Sequence, residues 1–161
     1  IGIGTSINFN IPYKKPTEST KDITKAESKI ETLEKPLQIL FVEDNEINQY
    51  IAIQLFKKLN IRYDVYENPI LALEQSMTTH YDLILTDFHM PEMNGIDLAN
   101  AIRKNDDNPN KDAPILLLTA DVFTSIQQDC AEAGINEILI KPINQKDFQN
   151  KLLRNINPKN V

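Results

Sequence analysis

The sequence predicts an α/β fold: a parallel, doubly wound sheet of five strands with helices on both faces. Three observations point to it. Continuous apolar runs recur at residues 39–42, 83–85, 115–118 and 138–140, and a fifth segment, Ile61 to Tyr66, alternates apolar with polar residues. Stripes at helical spacing fill the gaps between these segments. Strict strand–helix alternation implies parallel pairing through right-handed crossovers.

The first strand spans the run Ile39 to Val42, and a helix follows with Ile47, Ile51, Leu55 and Leu59 as its expected apolar stripe. The second strand alternates Ile61, Tyr63 and Val65 with Arg62 and Asp64, which suits a sheet edge; continuous runs suit strands covered on both faces. Ile70, Leu73 and Met77 mark the second helix, and Leu98, Ala99 and Ile102 the third. Val122, Ile126 and Cys130 mark the fourth, with Gly134 placed to end it in a left-handed conformation. Phe148, Leu152 and Ile156 mark the last.

Upstream the pattern differs. Within residues 1–12, Ile7, Phe9 and Ile11 alternate with Asn8, Asn10 and Pro12, a strand period without neighbours to cover it. Residues 13–36 are rich in Lys, Glu, Thr and Ser, as in a linker; Ile23, Ala26, Ile30 and Leu33 within them could also line one helix face. The assigned units are thus 1–12, 13–36, a domain over 37–157, and a tail over 158–161.

The chain has 161 residues, is 41% apolar and carries a formal charge of −6. That suits one globular domain plus extra length, and argues against nucleic acid as the main partner of this segment. Cys130 is the lone cysteine, so no internal disulfide forms. No apolar run approaches a membrane span, so no membrane contact is expected. The chain does not begin with Met, so we expect it to be part of something longer.

In an open parallel sheet the ligand crevice lies outside the carboxyl ends of the strands. Glu43 and Asp44 follow the first run, Asp87 the third, Thr119 closes the fourth, and Lys141 follows the last. Each has a plain structural explanation by itself. Asp44 or Asn45 could cap a helix, Asp87 could serve a turn before Pro91 and Asn94-Gly95, Thr119 could be an ordinary strand residue, and Lys141 a solvated one. Together they crowd three acids at one sheet edge, where a hard cation such as Mg²⁺ would offset the repulsion and a lysine would suit a phosphate.

Four stretches carry a resemblance: LQILFVEDN (37–45), DLILTDFHMPEMNG (82–95), PILLLTAD (114–121) and ILIKPI (138–143). In order and spacing, residues 37–157 resemble the receiver domain of two-component response regulators. The resemblance implies a flavodoxin-like sheet with strand order 2-1-3-4-5. It implies that Asp87 accepts a phosphoryl group from a phosphohistidine, with Mg²⁺ or Mn²⁺ held by Glu43, Asp44, Asp87 and the backbone carbonyl of His89. It also implies that Thr119 hydrogen-bonds the phosphoryl group, that Lys141 salt-bridges it, and that the Lys141–Pro142 bond is cis. His89 and Asp121 occupy places that flank the path of the attacking water and would tune the lifetime of the label; the plain alternative is that both are exposed loop residues.

One position departs from the family pattern. Receivers usually carry an aromatic ring three residues before the lysine, and here that switch position is Ile138. Output by ring rotation is therefore in doubt, and relay is the expected role.

GIGTSINFNIPY, at the start, resembles the closing strand of the ATP-binding domain of sensor histidine kinases. This points to a hybrid histidine kinase in the cytoplasm, its parent a candidate for anchoring in the inner membrane, with no kinase activity in this segment. The expected partners are a phosphohistidine domain, in the parent chain or separate, and a downstream histidine phosphotransfer protein. Two other readings stay open: a receiver-like interaction module that is never phosphorylated, and an aspartyl-phosphate phosphatase of the haloacid dehalogenase kind.

Overall fold

The structure is a computed structural model that describes residues 36–120 and 124–156. The strand expected over 1–12, the linker expected over 13–36 save its last residue, Asp121, Val122 and the tail lie outside the described residues.

Five strands and five helices alternate: β1 (Gln38–Val42), α1 (Glu46–Lys58), β2 (Arg62–Tyr66), α2 (Pro69–Ser76), β3 (Leu83–Asp87), α3 (Gly95–Arg103), β4 (Ile115–Thr119), α4 (Thr124–Glu132), β5 (Glu137–Ile140) and α5 (Gln145–Ile156). All strand pairs are parallel, in the order β2-β1-β3-β4-β5. The chain moves outward from β1 to β2, then returns to the other side for β3. The order therefore reverses between β1 and β3, and the crevice of a doubly wound sheet opens at that point.

Strand residues alternate between two apolar layers. Leu40, Val42, Ile84, Ile115 and Leu117 pack with Ala72 of α2, Leu98 and Ile102 of α3, and Cys130 of α4. Ile39, Phe41, Leu83, Leu85, Leu116, Leu118 and Leu139 pack with Ala52 and Phe56 of α1 and Phe148 and Leu152 of α5. Phe56 anchors the second layer, its ring centroid 5.5 Å from Phe41 and 5.8 Å from Phe148. The runs in β1, β3 and β4 are apolar throughout because both of their faces are covered.

Asparagine starts four of the helices. Asn45, Asn68, Asn94 and Asn144 each accept two backbone N–H groups through Oδ1, at the heads of α1, α2, α3 and α5. These caps satisfy donors that the first turn leaves over. Gly134 ends the α4 region with φ +71°, as its position predicts.

The structure corrects two expectations of pattern. In α1 the stripe of Ile47, Ile51, Leu55 and Leu59 is only half inward: Ile47 is 71% and Ile51 45% exposed, while Ala52 and Phe56 are buried. Alanine adds little to an apolar stripe, yet small residues let the helix approach the sheet closely. The same holds for α2, where Ala72 and Ser76 are buried and Ile70 is exposed. The second correction concerns β5. Its continuous run suggests cover on both faces, but β5 is a sheet edge and Ile140 is 52% exposed.

Gly95 opens α3 directly behind β3. A Cβ added there would lie 2.3 Å from the Asp87 carbonyl oxygen and 2.6 Å from Leu117 Cδ1. Backbone cannot yield that distance without moving the strand end. We expect Gly95→Ala to cost about 3 kcal/mol, the upper end of overpacking losses. Chemical denaturation checks this; a variant as stable as the parent would show that the β3–α3 turn is slack.

Candidate functional site

The carboxyl edge of the sheet gathers side chains from β1, β3, β4 and β5. Asp87 ends β3 and is 5% exposed; Glu43 follows β1 and is fully buried; Asp44 beside it is exposed. One carboxylate oxygen from each of Glu43, Asp44 and Asp87 lies within 4.8 Å of the others. Register explains the convergence. Val42 pairs with Thr86, so the residues just past each pair, Glu43 and Asp87, emerge side by side.

Lys141 enters from the far side of the sheet. Thr119 pairs with Ile140, and the Lys141 amide donates to the Thr119 carbonyl at 2.8 Å. The Lys141 ammonium then lies 2.7 Å from Glu43 Oε2 and 2.8 Å from Asp87 Oδ1. The Lys141–Pro142 bond is cis, as expected. Thr119 is buried at the end of β4, on the same rim.

Three carboxylates around one ammonium are electrostatically incomplete. Burial pushes the Glu43 carboxyl above its ordinary value, and hydrogen bonding by Lys141 and Asn48 only partly opposes that. Burial pulls the Lys141 ammonium down, but its bonds to Asp87 and Glu43 outweigh the loss and hold it above its ordinary value. Three negative groups against one positive leave two charges to balance, the charge of one divalent cation. The donors are all hard oxygens, which suit Mg²⁺ or Mn²⁺. The residues present therefore fit such an ion.

Other expected positions are placed less tightly. His89 has an exposed ring, 4.3 Å from that of Phe88. Asp121 lies outside the described residues. Ile138 is half-buried and packs against the layer that holds α2, α3 and α4, while its carbonyl accepts the Lys151 ammonium at 2.7 Å.

The structure adds neighbours that the sequence pattern does not flag. The Phe88 amide donates to Asp87 Oδ1 at 2.8 Å. Asn48 Nδ2 donates to Glu43 Oε1 at 2.8 Å, and Gln49 Nε2 to the Glu43 carbonyl at 2.6 Å. Asn68 Nδ2 donates to Glu92 at 3.1 Å, with Glu92 at φ 68°, which ties the β2–α2 turn to the β3–α3 turn. A cleft of about 30 Å³ lies beside the cluster, lined by Glu43, Asn48, Ile51, Lys141 and Pro142 among others. It is far smaller than a pocket for an organic substrate.

Comparison with known proteins agrees with this geometry. Residues 39–153 match the response regulator receiver domain family. The chain is 43% identical over 108 residues to hybrid signal transduction histidine kinase M of Dictyostelium discoideum, covering 65% of this chain and 4% of that protein. It is 31% identical over 151 residues to the autoinducer 2 sensor kinase/phosphatase LuxQ of Vibrio vulnificus, covering 93% of this chain and 17% of that one. The chain thus spans a small part of the relatives it matches. Among solved structures, the receiver domain of sensor histidine kinase PA1611 from Pseudomonas aeruginosa, with a magnesium ion in its active-site cleft, is 30% identical with TM-score 0.68, over 76% of this chain and 98% of that chain. A complex of the Saccharomyces cerevisiae histidine phosphotransfer protein Ypd1 with the receiver domain of Ssk1 matches at 26% identity and TM-score 0.67, over 78% of this chain and 92% of that one. On the family match, the strand order and the converging acids and lysine together, the chain belongs to the response regulator receiver domain family.

Proposed function

We propose that this domain is a station in a phosphorelay, in which Asp87 takes a phosphoryl group from a phosphohistidine and yields it to a histidine phosphotransfer protein. The observation that carries the reading is the Lys141 ammonium, bridging Asp87 and Glu43 inside a cluster of three carboxylates. The Ypd1–Ssk1 complex among the solved relatives supports the choice of partner.

The steps follow from the side chains. Asp87 Oδ1 is held by the Phe88 amide and by Lys141, which sets the plane of the carboxylate. We assign Oδ2 as the nucleophile. It attacks phosphorus as the bond to the histidine nitrogen breaks, and an acyl phosphate forms. Charge spreads over the equatorial oxygens in the transition state, so positioning and charge stabilisation carry most of the catalysis. Lys141 would turn toward those oxygens, and Thr119 would donate its hydroxyl. Glu43, Asp44, Asp87 and the His89 carbonyl would hold the divalent cation, which when bound neutralises phosphoryl charge. His89 and Asp121 would tune how long the acyl phosphate survives. Ile138 has no ring to rotate, so the domain would act more as a relay than as a conformational switch.

The site favours a protein-borne donor. Ile47, Tyr50 and Ile51 are 71%, 64% and 45% exposed on α1, and Ile51 also lines the cleft beside Lys141. Exposed apolar residues grouped at a site mark macromolecular contact.

Within the longer protein, we infer that residues 1–12 close a histidine-kinase ATP-binding domain, that 13–36 link it to the receiver over 37–157, and that 158–161 form a tail. The LuxQ alignment supports this, because it is longer than the stretch from residue 37 to the end. No helix among the described residues is long and apolar enough to cross a membrane. We place the domain in the cytoplasm, where phosphohistidine donors are found.

Three outcomes test the reading. Asp87→Asn should abolish hydroxylamine-labile labelling by a phosphohistidine protein in the presence of Mg²⁺; full labelling of this variant refutes the assignment. Tyr50→Ala should slow transfer from the protein donor about tenfold or more while leaving labelling by acetyl phosphate unchanged; equal slowing of both would place Tyr50 in the chemistry instead. Lys141→Met strands the buried Glu43 carboxylate, and without divalent cations at pH 7 it should cost about 3 kcal/mol of stability. Glu43 carries a raised pKa, so its protonated form favours the fold, and the deficit should shrink as pH falls toward 5. Denaturation at the two pH values reads this directly; a deficit independent of pH would mean that the lysine is lost only as packing.

A further inference from the structure

Glu43 is the most buried of the three acids, so solvent does not orient its carboxylate. Its two oxygens are divided between two partners: Lys141 at Oε2, 2.7 Å away, and Asn48 Nδ2 at Oε1, 2.8 Å away. The next residue, Gln49, donates from Nε2 to the Glu43 carbonyl at 2.6 Å. Adjacent residues in the first turns of α1 thus hold both the carboxylate and the backbone of Glu43.

Capping does not account for the Asn48 side chain. Asn45 is the N-cap of α1, and its Oδ1 accepts the amides of Ile47 at 2.9 Å and of Asn48 at 3.2 Å. Asn48 stands three residues past the cap, where a capping box places Glu or Gln to reach back to the cap amide. Here the side chain turns outward from the helix, to a carboxylate five residues earlier.

We propose that Asn48 is a positioning residue for the divalent cation. Its amide ties down Oε1 of Glu43 while Oε2 meets the Lys141 ammonium, in a carboxylate with one oxygen within 4.8 Å of oxygens of Asp44 and Asp87. A neutral amide suits this role, because it donates without adding a charge that would compete with the cation. Partners that orient a metal ligand commonly contribute 10–100-fold to metal affinity. The inference rests on the proposed cation site and makes Asn48 part of its design.

The test is Mn²⁺ and Mg²⁺ titration of the full chain by calorimetry, with thermal unfolding in chelator as a second readout. Asn48→Leu should weaken the dissociation constant about tenfold or more, and Asn48→Gln, which keeps a donor, should recover part of it. In a Glu43→Gln background, Asn48→Leu should weaken binding no further, because the residue acts through Glu43. Unchanged affinity in Asn48→Leu, with only a lower melting temperature, overturns the proposal in favour of a tie between α1 and β1. An equal loss in both backgrounds overturns it as well. If Asn48→Leu does not fold, Asn48→Ser takes its place. Failure of the unsubstituted chain to bind either ion removes the cation site itself, and this inference with it.

Discussion

The repulsion among Glu43, Asp44 and Asp87 is the constraint around which the rest of the domain is arranged. Three carboxylates with oxygens inside 4.8 Å of each other do not stay together for their own sake. They are held there by β1 and β3, whose pairing is fixed by apolar side chains on both faces, and are offset by one lysine delivered from β5. Stability of the two layers underneath is therefore what sustains an unfavourable arrangement at the rim. Such tension is common where a protein keeps a binding site ready.

The scaffold contributes through backbone approach as much as through side chains. Gly95 lets α3 start against the Asp87 carbonyl, and the Phe88 amide turns back onto the Asp87 carboxylate. Helices α1, α2 and α3 begin beside this edge, each with an asparagine cap that leaves its own N-terminus satisfied. The turns that carry the acids are short and tied at both ends. Loss of one carboxylate charge or one lysine contact should thus be felt locally, as charge, before it is felt as movement of the sheet.

In the proposed relay, receiving phosphate and switching fall to separate parts of the domain. The groups proposed to receive phosphate stand at the ends of β1, β3, β4 and β5. Ile138 lies within β5, packed into the opposite layer from α1 and α5, with its carbonyl held by Lys151. An aliphatic side chain in that setting has less to gain by rotating outward than an aromatic ring with a polar tip. Ile51, exposed on α1, lines the cleft with Glu43 and Lys141, so a partner that covers the site would meet that helix.

The sequence alone determined the order of the elements, the parallel sheet and the set of residues at its carboxyl edge. Apolar runs and polar punctuation are local signals, and Glu43, Asp44, Asp87, Thr119 and Lys141 each follow or close such a run. Pattern was less reliable where a small or polar residue faces inward: Ala52 and Ser76 are buried, while Ile47 and Ile51 are not. It also could not separate a covered strand from an edge strand in β5, because both can be written with the same aliphatic residues. Only the tertiary structure decided the grip of Asn48 and Gln49 on Glu43, the need for glycine at position 95, and the distances around Lys141. The reason is physical. These depend on where separate segments come to rest against one another, to a fraction of an ångström, and a linear pattern carries no such distance.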